Sequence, residues 1–109
     1  MRFSLYSELQ LHPGKTADTL YAEVLEQIVN ADRLGYDVYS VIEHFFFPKF
    51  SVSGNPTALF AAAAQRTREI RFRTMLHALP YHIQGSDGAG VGTPATYTSV
   101  HRCGSMIAR

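Results

Sequence analysis

Glu43, His44, Phe45 and Phe46 place a carboxylate and an imidazole side by side, ahead of further aromatic rings. An imidazole titrates near neutrality, so His44 is a candidate general acid, general base or hydrogen-bond donor. Glu43 reads first as a structural partner for it. Glu8 and Gln10 lie near the end of one apolar segment, and His77 and His82 near the end of another. His77 and His82 are five residues apart, a spacing that suits neither a helical nor a strand face, so a metal pair is not expected. The glycines from Gly88 to Gly92 lack both the GxGxxG spacing and the Lys-Ser/Thr end of a phosphate-binding loop, and no helical pattern follows them. The single cysteine, Cys103, excludes an internal disulfide and any metal site built on cysteines.

The segments that must position these groups can be read from period and caps. Residues 2–9 alternate, with Phe3, Leu5 and Ser7 on one side and Ser4, Tyr6 and Glu8 on the other, which predicts a strand. Thr16 or Asp18 can cap a helix over 18–34. Its apolar positions, Leu20, Tyr21, Val24, Leu25, Ile28, Val29, Ala31 and Leu34, form one stripe, and Gly35 stops it. Residues 37–46 are rich in β-branched and aromatic side chains and predict a strand buried on both faces. Asn55 and Pro56 begin a second helix, over 56–67. Residues 70–79 predict a third strand, ended by Pro80. Strand, helix, strand, helix, strand implies parallel βαβ units, α/β in class. In such folds the strands' C-terminal ends carry the chemistry, so Glu8, Glu43, His44, His77 and His82 are expected on one rim.

The bulk numbers narrow the classes. The chain has 109 residues, enough for one core and not for two. It is 46% hydrophobic and 17% charged, ordinary for a globular domain. A net charge of +1 makes nucleic acid an unfavoured partner. No apolar run is long enough to span a bilayer, and no leader pattern opens the chain, so the expected setting is cytoplasmic, away from membranes.

The ordered set Arg2-Phe3-Ser4-Leu5-Tyr6, Ala31-Asp32-Arg33-Leu34-Gly35-Tyr36-Asp37, Glu43-His44-Phe45-Phe46, Gly54-Asn55-Pro56, Ala61 to Thr67, Ile70-Arg71-Phe72 and Leu79-Pro80 resembles the bacterial luciferase-like monooxygenases. The resemblance covers roughly residues 1–83 and rests on several separate motifs. It implies the N-terminal three βα units of a (β/α)₈ TIM barrel. It implies reduced FMN as cofactor, with a deazaflavin coenzyme as the alternative, and O₂ as co-substrate. Such enzymes oxygenate a small organic molecule through a flavin hydroperoxide, and a separate reductase supplies the flavin. The resemblance also admits a homo- or heterodimer. The family's strand-end motif is Glu-His-His-Phe, so Glu43 and His44 match and Phe45 replaces the second histidine. By that match His44 is the catalytic residue, as general base or as donor, and Glu43, Thr74 and Met75 fall to cofactor binding. Family members often carry a non-proline cis peptide where Thr74-Met75-Leu76 stands here, a costly and usually functional feature.

A whole barrel of this kind takes about 250 residues. The sequence therefore divides, on expectation, into a partial barrel domain over 1–83 and an irregular, poorly ordered tail over 84–109, rich in Gly, Ser and Thr. A truncated gene product with a shifted reading frame after residue 83 accounts for both, and predicts an apolar barrel-facing side left uncovered and no activity in the isolated fragment. The alternative is a non-catalytic half-barrel that associates with itself or with another chain through its open edges.

Overall fold

Five elements alternate along residues 1–76, the part of the chain that the computed structural model describes: β1 (Ser4–Ser7), α1 (Ala17–Arg33), β2 (Val38–Val41), α2 (Pro56–Ala64) and β3 (Arg71–Thr74). The strands form one parallel sheet in the order β1-β2-β3. Ser7 stands beside Val41 and Val41 beside Thr74, so the three strands end level. The expected strand–helix alternation and parallel pairing are therefore present. The tail expected over 84–109, with His77 and His82, lies outside the described residues.

α1 forms where its caps and stripe say it should. The Thr16 hydroxyl accepts from the Thr19 N–H at 3.3 Å. Leu20, Val24, Ile28 and Ala31 repeat at spacings of three and four and are buried together. At its end Gly35 takes a left-handed φ of +80°; its N–H bonds the Asp32 carbonyl while Tyr36 N–H bonds the Ala31 carbonyl. That double closure is the Schellman motif, and it satisfies carbonyls the helix leaves open. Leu34 falls off the apolar stripe, 76% exposed, because the chain has already begun to turn. α2 starts at Asn55, whose side-chain oxygen accepts from the Thr57 and Ala58 N–H groups. It ends at Ala64, short of the expected 67, and the Thr67 hydroxyl then donates to the Ala63 carbonyl.

Both helices cover one face of the sheet. Tyr39 donates its hydroxyl to Gln27 of α1, and the Phe72 ring stacks on Phe60 of α2 at 5.1 Å. By the two-residue period Leu5, Ser7, Val41 and Thr74 share that face. The opposite face carries Ser4, Tyr6, Val38, Ser40, Arg71 and Arg73, with the Ser4 and Ser40 hydroxyls 3.4 Å apart. That side was expected to be apolar, but it is mostly polar. The apolar residues of β1 and β3 alternate toward the helices, and their polar neighbours are left facing the other way.

Two carboxylates fasten the strand starts. Asp37 accepts from the Phe3 N–H at 2.9 Å and lies 4.0 Å from the Arg71 guanidinium. Asp32 accepts from three consecutive backbone groups, those of Arg68, Glu69 and Ile70, at 3.0, 2.9 and 2.7 Å. These satisfy N–H groups that precede the β3 ladder.

The strands are shorter than the apolar runs suggested. β2 stops at Val41 rather than 46, and β1 at Ser7 rather than 9. In the segments that follow, Leu9 and Phe46 adopt φ values of +56° and +64°, so the chain turns sharply at those two residues. β3 gains one more ladder bond, from Met75 N–H to the Val41 carbonyl. The described residues contain no cis peptide bond, so the family feature looked for at Thr74-Met75-Leu76 is not found there.

Candidate active site at the strand ends

Glu43, His44 and Phe45 leave the sheet in the loop that joins β2 to α2, and this loop is well tied. His44 N–H donates to the Ser53 carbonyl at 2.9 Å, which pins the two arms of the loop together. Val52 N–H donates to the Leu9 carbonyl and Leu11 N–H to the Pro48 carbonyl, joining the loop to the segment after β1. The Tyr21 hydroxyl of α1 donates to the Val52 carbonyl at 3.1 Å. Burial raises the pKa of Tyr21, with the Ser53 hydroxyl acting in the opposite sense, so at neutral pH it stays a donor. The strand-end loops are thus held by backbone pairing rather than left free.

Within this frame the neighbours Glu43 and His44 part ways. Glu43 is fully buried. His44 is only partly buried, and its ring lies 4.8 Å from Phe50 with the planes tilted by 59°. Nδ1 of His44 is shielded from solvent and meets no hydrogen-bond partner among the described residues. The imidazole is therefore part-open at the strand ends, with Nδ1 on its covered side.

Phe45 and Phe50 are half-buried in the loop, and Phe45 lies against Gly54, where an added Cβ would sit 3.4 Å from its ring. Phe46 and Phe47 do not pack that way. They are 86% and 55% exposed, and the left-handed backbone at Phe46 turns its ring outward. A bulky side chain in that conformation is strained, and such strain gathers at functional loops. The sequence signal for this was the run of three phenylalanines closing on Pro48, too long for the inward side of a loop.

On β3, Thr74 is half-buried and shares the helix-facing side with Phe72, so its side chain points away from the rim's open face. Met75 and Leu76 follow, both about half exposed. The structure brings Glu43, His44, Thr74 and Met75 to one end of the sheet through the level strand ends. Glu8, beyond β1, is at that end too, accepting from Gln10 at 2.9 Å and from Tyr6 at 3.5 Å. Desolvation, with the Glu8 charge and hydrogen bond behind it, raises the Tyr6 hydroxyl's pKa.

A groove of about 550 Å³ opens beside β1 and α1, lined by Glu8, Gln10, His12, Lys15, Glu23 and Gln27 among others. Lys15 and Glu23 form an ion pair across it. None of Glu43, His44, Thr74 or Met75 lines it, so it is separate from the histidine rim.

Exposed apolar side chains at Phe46, Met75 and Leu76 and a part-buried imidazole, all at one end of the sheet, are the kinds of group that suit a planar aromatic ring system with a polar edge. The residues at this rim thus fit the ring of a flavin.

Comparison with known proteins bears on the family and the fold. A family model described as luciferase-like monooxygenase matches residues 1–83. The 3,6-diketocamphane 1,6-monooxygenase of Pseudomonas putida is 34% identical over 71 residues, 65% of this chain and 18% of that protein. Among solved structures, a type II Baeyer-Villiger monooxygenase, the oxygenating constituent of 3,6-diketocamphane monooxygenase from Pseudomonas putida in complex with FMN, superposes with a TM-score of 0.73. It is 30% identical, over 79% of this chain and 23% of that one. Monooxygenase RslO1 from Streptomyces bottropensis shares the fold, with a TM-score of 0.63 at 21% identity, over 97% of this chain and 41% of that one. The chain thus spans well under half the length of each of these relatives.

Proposed function

The chain belongs to the luciferase-like monooxygenase family, and from that membership we propose that it supplies the first three βα units and the rim histidine of a flavin-dependent monooxygenase. The observation that carries this reading is the part-open His44 ring at the strand ends, in a chain whose family match runs through the same residues. Reduced FMN is the proposed cofactor, since a similar structure holds FMN, and a deazaflavin is the alternative. When bound, the flavin supplies electrons to O₂ and delivers one oxygen atom to a small organic substrate. A ketone is the first substrate class to test, because a similar enzyme is a Baeyer-Villiger monooxygenase.

The chain's own residues would then divide the work. Phe46, Met75 and Leu76 offer apolar surface to the ring and keep water from it. Met75 contributes its side chain. Thr74, turned toward the helices, contributes backbone. Glu43, fully buried past the end of β2, helps fix the loop, and through it the rim. His44 handles a proton or donates a hydrogen bond through Nε2. A separate reductase, a dimeric assembly and a cytoplasmic setting belong to the same proposal. Among the described residues no helix is long and apolar enough to cross a membrane.

Among the described residues the sheet ends at β1 and β3, and such edges favour a second reading, a non-catalytic half-barrel that pairs with itself or with another chain. The purified chain titrated with reduced FMN separates the two. Saturable binding at a defined stoichiometry supports the flavin reading. A stable oligomer with no flavin affinity supports the half-barrel.

A further inference from the structure

On the reading that the sheet edges take a further chain, we infer that the occupant is a second copy of this one, its β1 laid parallel against β3, with Arg73 of one copy paired to Glu8 of the next. Among the described residues β1 and β3 each pair on one side only, through β2. An edge of this kind is a template for another strand. The sequence of residues 84–109 has no strand period, so the strand is sought in a second copy.

Backbone and side chains agree on one register. The Phe3 carbonyl turns toward β2, where it accepts from the Asp37 N–H at 2.9 Å. Backbone groups alternate along a strand, so those of Ser4 and Tyr6 turn to the outer edge of β1. Arg71 N–H donates to the Asp37 carbonyl and Met75 N–H to the Val41 carbonyl, so the backbone groups of Phe72 and Thr74 turn to the outer edge of β3. Leu5, Tyr39 and Phe72 form one level row across the sheet, and Tyr6, Ser40 and Arg73 the next. Carried one strand further, these rows set Phe72 beside Leu5 of the second copy and Arg73 beside its Tyr6. The outward groups of Phe72 and Thr74 then meet those of Ser4 and Tyr6 in the parallel pattern. Phe72 and Leu5 share the helix-facing side, so apolar meets apolar.

Charge selects this pairing over the others. Arg73 is exposed and, among the described residues, has no ion-pair partner. Glu8 accepts from the Tyr6 hydroxyl at 3.5 Å, so a guanidinium beside Tyr6 lies within reach of that carboxylate. Two β3 edges laid antiparallel set Arg71 and Arg73 against their own kind, like charge on like. Two β1 edges leave Arg73 unpaired.

The test weighs the 109-residue chain by sedimentation equilibrium and follows its backbone amides by hydrogen exchange. The wild-type chain should associate, and the amides of Ser4, Tyr6, Phe72 and Thr74 should exchange more slowly as its concentration rises. Arg73→Glu and Glu8→Arg each set like charges across the contact and should weaken association by about tenfold. An equimolar mixture of the two variants brings opposite charges together again and should recover the wild-type mass. That recovery separates a lost contact from a lost fold. Association that ignores both reversals, a mixture that stays apart, or edge amides that exchange freely in the associated form overturns this inference and spares the half-barrel reading. A chain that stays monomeric at every concentration overturns this inference and leaves that reading only a different chain as partner.

Discussion

His44 and Glu43 are adjacent in sequence yet opposite in exposure, and that contrast decides what each can do. A fully buried carboxylate shapes the loop, while a part-open imidazole can meet a substrate. In a barrel restored by joining residues 1–83 to the remaining βα units of a relative, His44→Ala should lower turnover by roughly 10²–10⁴-fold, the usual weight of one acid–base or donor group. Flavin affinity, measured by fluorescence quenching, should change little, because the apolar surface at Phe46, Met75 and Leu76 remains. A matching collapse of affinity would instead make His44 a binding group. Phe45→His should leave both quantities near the parent's, since Phe45 is half-buried against Gly54 and an imidazole is the smaller ring. The sequence marked His44 through its type and its neighbours. It could not show which nitrogen is sealed, because that depends on Phe50 and on the Ser53 arm returning to meet it.

At the level of the elements, the caps were readable and the strand lengths were not. Thr16, Gly35, Asn55 and Pro56 act through bonds within three or four residues, so local sequence contains the whole cause. Strand ends depend on when a partner stops pairing, and the turns at Leu9 and Phe46 have no glycine to announce them. The polar face of Ser4, Tyr6 and Arg73 was present in the β1 and β3 alternation, but knowing which side the helices cover requires the fold. Asn55→Ala removes the acceptor for two N–H groups and should cost about 1 kcal/mol in urea denaturation. Asp32→Ala should cost more, about 2 kcal/mol or above, because three backbone groups lose a charged acceptor at once. An Asp32→Ala loss smaller than that of Asn55→Ala would mean that water replaces the carboxylate without penalty.

For the molecule as a whole, tyrosines set the alkaline limit of stability. Burial raises the pKa of Tyr39, with the Ser7 hydroxyl acting the other way, and burial raises that of Tyr21 as well. In the unfolded chain both ionise near pH 10. Between that value and the higher folded values, the unfolded state has released protons that the folded state still holds. Stability is therefore complete below about pH 10 and falls as pH rises through the folded pKa values. Urea midpoints taken from pH 7 to pH 11 should stay level and then drop, and Tyr39→Phe should soften the drop. Tyr39→Phe also removes the donor to Gln27 and should lower the plateau at pH 7. The two effects have opposite signs at the two ends of the range, so the wild-type and variant curves should converge as pH rises. Parallel curves would show that Tyr39 ionises equally readily folded and unfolded, and that its burial between α1 and the sheet does not govern the alkaline limit.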